Sequence, residues 1–158
     1  EVLIQNKSHE TISKVIPQKG SFVGVGNRVL IGLVTNSSRK GYLQSFMDGE
    51  ATLYYTGSHF PTTIPLQDLH YFMPYFKGKG IRDVYEIIGM RTITAKEAKQ
   101  IEGERGKEAK DDLRLAFDLR FVRKQYSEIQ SINTSKMADN TFINTTFDEL
   151  KDFIVGNV

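Results

Sequence analysis

The stretch from Leu113 to Val122 constrains the fold most. Leu113, Leu115, Phe117, Leu119 and Phe121 alternate with Arg114, Ala116, Asp118 and Arg120. A period of two puts the apolar set on one side of a strand and leaves the polar set facing solvent or a ligand. The segment is therefore expected to be a half-buried strand in an antiparallel sheet.

Other segments add strands to it. Arg28 to Thr35 is an almost continuous apolar run, short enough for a buried strand, and the polar turn Asn36-Ser37-Ser38 ends it. Asp48-Gly49 signals a tight turn before a strand over Ala51 to Thr56. Arg82 to Met90 reads as a strand with Val84, Glu86 and Ile88 on one side and Tyr85 and Ile87 on the other. Near the start, Val2 to Gln5 is expected as a short strand, Thr11 to Val15 is ambiguous between strand and helix, and Phe22, Val23 and Val25 are good strand formers. The segment Gly41 to Met47 is open between a helical turn and a strand.

Two capping boxes predict helices. Thr94-Ala95-Lys96-Glu97 starts one over Ala95 to Glu102, and Thr146-Phe147-Asp148-Glu149 starts a C-terminal one through Ile154. The Asn-, Thr- and Ser-rich residues before Thr146 read as loop, and Gly103 to Asp112 as a solvated charged loop. Pro61, Pro65 and Pro74 punctuate the middle of the chain. Proline lacks an amide donor and is excluded from central strands, so an ordered surface excursion is expected there. The sum is an α+β fold, a curved, mostly antiparallel sheet or small barrel flanked by short helices.

The 158 residues are enough for one domain with a proper core, and we expect a single domain over residues 1–158. The first residue is Glu1 rather than methionine, which fits a processed chain or a module excised from a larger protein, with the other domains of that parent as partners. No run of about 18 apolar residues exists, so no helical membrane span is expected. With no cysteine, disulfides, thiolate nucleophiles and zinc-thiolate sites are excluded, which fits a cytoplasmic location.

Residues Thr52 to Tyr85 carry the functional signal. They hold Tyr54, Tyr55, Phe60, Tyr71, Phe72, Tyr75, Phe76 and Tyr85, with His59 and His70, and lead into Lys77-Gly78-Lys79-Gly80-Ile81-Arg82. Any single ring is better explained as core. Rings gathered beside mobile cations nevertheless suit a base on its phosphate backbone, and the glycines let the chain approach a phosphate closely. The alternative for the lysines is a solvated hairpin whose charges protect a sheet edge. The adjacent aromatics tip the balance to binding. Net charge is only +2, so any such contact is local and short. Arg39-Lys40 is a weaker second phosphate candidate, better read as an exposed loop.

Chemistry beyond binding finds little support. Gly24-Val25-Gly26 does not open a dinucleotide fingerprint, and no Walker element or nucleophile elbow is present. Three histidines without cysteine argue weakly for a metal. Glu97-Ala98-Lys99 has the Glu-x-Lys spacing of metal-dependent nucleases, but it sits inside a capped helix. We expect no catalytic residue, no cofactor and no metal.

The order of features resembles the PUA-like superfamily, with its EVE, ASCH and YTH branches. The resemblance spans residues 20 to 125 and rests on an early apolar strand with glycines, the tyrosine-bearing Thr52-Leu53-Tyr54-Tyr55-Thr56, and Phe72-Met73-Pro74-Tyr75-Phe76 before Asp83-Val84-Tyr85-Glu86-Ile87. The tracts Lys77 to Ile87 and Asp111 to Leu115 look like accessory regions of restriction–modification proteins. The resemblance implies a curved PUA-like β-barrel that binds DNA or RNA, in some members reading a flipped or modified base in an aromatic cage. Such cages often use tryptophan, which this chain lacks.

The expected function is thus a nucleic-acid-binding module of a restriction–modification or related system. Lys77, Lys79 and Arg82 are expected to hold phosphates. Tyr54, Tyr55, His59 and Tyr75 are expected to border a stacking pocket, with Arg114 and Arg120 extending the surface. A metal-dependent nuclease using Asp83, Glu86 or Asp118 and a protein-interaction domain built on the aromatic patch are the alternatives.

Overall fold

The computed structural model describes residues 28–34, 40–56, 60, 61, 64–94, 97, 113–137 and 141–157. Their nine strands form one sheet. The strands are β1 (Arg28–Val34), β2 (Leu53–Tyr55), β3 (Tyr71–Phe76), β4 (Gly80–Ile81), β5 (Asp83–Thr94), β6 (Leu113–Lys124), β7 (Gln130–Ile132), β8 (Phe142–Thr146) and β9 (Ile154–Asn157). The order β2-β6-β5-β3 continues through β1 to β8, and a branch β4-β7-β9 leaves from the end of β3. All pairings are antiparallel except β1 with β3. The mostly antiparallel sheet agrees with expectation.

The α+β class and the closed small barrel do not. Among the described residues helix is confined to α1 (Lys40–Met47), the helical Glu97 and single 3-10 turns, so the described part of the fold is mostly β. The end strands β2 and β8 are not paired with each other, so among the described residues the sheet does not close. Instead, the Tyr54 hydroxyl of β2 donates to the Leu33 carbonyl of β1 at 3.0 Å.

The two longest strands, β5 and β6, form the backbone of the sheet, with Leu115, Phe117 and Leu119 buried as the alternation requires. The register slips twice along this pair. The extra residues are Val122 on β6 and Ile88 on β5, and both are exposed, as bulged residues with no cross-strand partner tend to be.

Both faces of the sheet are covered. Leu30, Tyr54, Phe72, Tyr85 and Phe117 gather on one face under Tyr42 and Phe46 of α1. Val29, Ile31, Met73, Ile81 and Val84 gather on the other, closed by Ile143 and Leu150. A strand buried on both sides has no polar face, which explains the continuous apolar run of β1.

Helix α1 resolves the open assignment of Gly41 to Met47. Tyr42 and Phe46, four residues apart, share its core-facing side. It stops in a Schellman motif. Gly49 takes φ 72°, its N–H donates to Phe46 O at 3.2 Å, and Glu50 N–H donates to Ser45 O at 2.8 Å.

Three expectations are corrected. The Pro-punctuated excursion contains the central strand β3. It carries Pro74 where its partner changes: β5 pairs with Tyr71 and Phe72, β4 with Tyr75 and Phe76, and the ladder on that edge is interrupted between them. The polar loop before Thr146 contains β8, held against β1 by five register pairs from Arg28–Thr146 to Gly32–Phe142. The second capping box forms its bond, Glu149 N–H to Thr146 Oγ1 at 3.2 Å, but starts only a 3-10 turn over Leu150–Phe153. The chain then enters β9, because β7 offers an edge to pair with and Ile154 and Val155 are β-branched.

The first capping box is reciprocal, with Thr94 N–H to Glu97 Oε1 at 2.8 Å and Glu97 N–H to Thr94 Oγ1 at 3.1 Å. Of the helix expected after it only Glu97 is described, and it is helical; the early strands before Arg28 and the loop 103–112 lie outside the described residues.

Candidate nucleic-acid interface

The turn between β3 and β4 carries the two lysines. Lys79 N–H donates to Phe76 O at 2.8 Å, closing the turn through Gly78, and all three of Lys77, Gly78 and Lys79 are exposed. The strand beneath is anchored where Lys77 N–H meets Val34 O at 3.4 Å. Helix α1 packs alongside. Leu43 and Met47, four residues apart, form the stripe next to its buried face and stay half-buried.

Between turn and helix lies a cleft of ≈ 140 Å³ lined by Val34, Leu43, Met47, Phe76, Lys77 and Lys79. Its floor is apolar and its rim holds two ammonium groups. Lysine stems extend apolar surface while their heads stay in water. The volume is below the ~300–1,000 Å³ of a small-molecule pocket, so the cleft admits one ring-sized group rather than a whole cofactor. Neither lysine has an ion-pair partner among the described residues.

Arg82 does not join them. Its Nε and Nη2 donate to the two carboxylate oxygens of Asp83 at 2.8 and 2.9 Å, and Nη2 also donates to Met47 O at 2.8 Å. The Asp83 side chain is 1% exposed. The hydrogen bonding to Asp83 holds the guanidinium above its ordinary pKa although burial opposes this. Arg82 thus neutralises a buried carboxylate and holds the Met47 carbonyl at the end of α1.

The tyrosines expected to stack are also placed differently. Tyr54 is 3% and Tyr55 7% exposed. The Tyr54 ring lies 4.3 Å from that of Phe72, and Tyr55 leans on Tyr42 at 5.3 Å, its N–H donating to the Tyr42 hydroxyl. They are core because both rings pack against α1, Tyr54 against Phe46 at 6.1 Å and Tyr55 against Tyr42. Tyr75 is half-buried on the opposite face, against Ile81 and Met73. His59 and Arg39 lie outside the described residues, as does the side chain of Lys40. His70 is buried, with Nδ1 3.0 Å from the Asp68 carbonyl.

On the β5–β6 ladder two arginines are paired across strands. Arg120 binds Glu86, and Arg91 binds Asp118 at 3.3 Å. Arg114 is half-exposed opposite Ile93, away from the lysine turn in the register. The three carboxylates considered for a nuclease, Asp83, Glu86 and Asp118, therefore each hold an arginine. No group of three or more metal-ligating side chains gathers among the described residues.

Of the expected residues that the structure describes, Lys77 and Lys79 line the cleft. Its floor was not read from the sequence, although the Leu43–Met47 spacing is the signal that would have shown it.

No family model matches the chain, and no curated protein matches it. Among solved structures it is similar to the crystal structure of a ZmASCH mutant protein from Zymomonas mobilis, at 12% identity and a TM-score of 0.40, over 78% of this chain and 79% of that one. No helix among the described residues is long and apolar enough to cross a membrane.

Proposed function

We propose that this chain is a nucleic-acid-binding domain that takes a single-stranded segment of DNA or RNA at the lysine cleft. Lys77 and Lys79 contact phosphate oxygens, and one base inserts toward Val34, Leu43, Met47 and Phe76. The observation that carries this is the cleft itself, an apolar floor of ring size beneath two unpaired ammonium groups. A nucleotide has the same division, a flat base of low polarity on its faces joined to a charged phosphate. Duplex recognition by an inserted helix is not part of the proposal, since α1 packs its apolar side into the core.

A single aromatic ring in the cleft, Phe76, makes it an apolar slot rather than an aromatic cage, so methylated-base reading is left out. Service as a module of a restriction–modification or related system in the cytoplasm belongs to the same proposal, supported by the cysteine-free composition and the order of sequence features.

The test is fluorescence anisotropy against labelled single-stranded and duplex DNA and RNA at two salt concentrations, with a Lys77→Ala/Lys79→Ala variant alongside. Salt-sensitive binding of a single strand, lost in the variant, is the expected result. No binding to any of the four polymers at low salt would sink the proposal and turn attention to a protein partner.

A further inference from the structure

We infer that the cleft serves a strand longer than one nucleotide, with Phe121 stacking the base next to the one in the cleft and Lys124 meeting its phosphate; this rests on the function proposed above. The two residues join the cleft through the end of α1. Met47 lines the cleft, and its carbonyl is held by Arg82. Arg82 is fixed by Asp83, and Lys124 stands directly opposite Asp83 on β6. Two residues after Met47, Gly49 lies under the Phe121 ring, so close that a Cβ there would come within 3.2 Å of it. Two residues of chain span at most about 7 Å, so the ring is a near neighbour of the cleft.

Phe121 is the one aromatic among the strongly exposed large apolar side chains of the described residues, at 38%. Tyr85 braces it edge-on at 5.5 Å and 82°, and Gly49 backs it, so the ring is held in place while part of it faces solvent. A fixed, partly bare ring loses little freedom on stacking a base. Lys124 is exposed and has no ion-pair partner among the described residues. Arg82 offsets the negative end of α1 at Met47, which removes a barrier to a phosphate passing there. Asp48 and Glu50 are the acidic groups nearby. Gln44 Nε2 draws the Asp48 carboxylate back along the helix at 2.9 Å, leaving the Lys124 side as the path of lower repulsion.

The chain has no tryptophan, so a Phe121→Trp variant carries a single reporter. Its fluorescence should be quenched by a short oligothymidylate or oligouridylate and not by thymidine monophosphate. Phe121→Ala should weaken oligonucleotide binding about tenfold, with Phe121→Leu, which keeps Gly49 covered, losing nearly as much. Oligonucleotide binding seen by anisotropy without quenching, and unchanged in Phe121→Leu and Lys124→Ala, overturns this inference and leaves the lysine cleft standing. Absence of any binding by the unmodified protein sinks the function and this inference together.

Discussion

Arg82 and its sequence neighbour Asp83 form a two-pronged ion pair at 2.8 and 2.9 Å in which the carboxylate is almost wholly buried. The pair stands where β4 gives way to β5, and it ties this junction to the last carbonyl of α1, that of Met47. It belongs to the framework under the cleft.

Removing one partner leaves the other charge buried alone. Arg82→Ala should therefore cost about 3–5 kcal/mol. Combining it with Asp83→Asn should recover a good part of that loss, since the stranded charge is gone. Urea unfolding of the single and double variants is the check, and a double variant less stable than Arg82→Ala would contradict the argument.

Lys77 and Lys79 are exposed and unpaired, so replacing both with alanine should move stability by no more than about 0.5 kcal/mol. If each holds one phosphate of a single strand, the slope of log K against log salt should flatten by about 1.4. A weaker but equally salt-dependent complex would mean that the lysines act other than through phosphate contact.

Burial raises the Tyr85 hydroxyl from 10.0 to about 12. The folded state favours the neutral phenol, so this contribution is intact below pH 10 and is lost as pH rises through about 12, where both states are ionised. The expected loss over that window is about 3 kcal/mol. Urea midpoints of the unmodified protein and Tyr85→Phe, measured across it, should converge as pH rises. Parallel profiles would remove Tyr85 as the cause.

Gly32 is where β1 passes beneath two rings. A Cβ there would lie 2.6 Å from the Phe72 ring and 3.0 Å from the Tyr54 hydroxyl. Both rings are locked in the core and cannot step aside. Gly32→Ala should cost about 1–3 kcal/mol and lower the melting temperature by several degrees. An unchanged melting temperature would show that the rings repack freely.

Local signals were legible where a short-range rule settles the outcome. The Leu113–Val122 alternation fixes a strand because each side chain's face follows from its parity, and the Thr94–Glu97 box closes because its two bonds span three residues. The same box at Thr146–Glu149 misled, since the capping bond suits a 3-10 turn as well as an α-helix. Pro74 misled in the other direction, because exclusion from a sheet depends on whether a neighbouring strand requires that donor, and the ladder beside it is broken.

The candidate site divides in the same way. Lys77 and Lys79 could be read as exposed cations on a glycine turn because charge and glycine spacing are properties of the chain itself. Arg82, three residues past Lys79 and equally charged, is part of the framework because the fold buries Asp83 beside it and brings the end of α1 within reach. Tyr54 and Tyr55 belong to the core because their rings pack against Phe46 and Tyr42 of α1, and the same helix supplies Leu43 and Met47 to the cleft. The sequence by itself determined β1, β2, β5 and β6, the lysine turn and its charge, which arise from interactions a few residues long, but not β3, β8 or β9. Only the tertiary structure decided which rings and cations face water, because burial depends on what packs across from them, and those partners are distant in the chain.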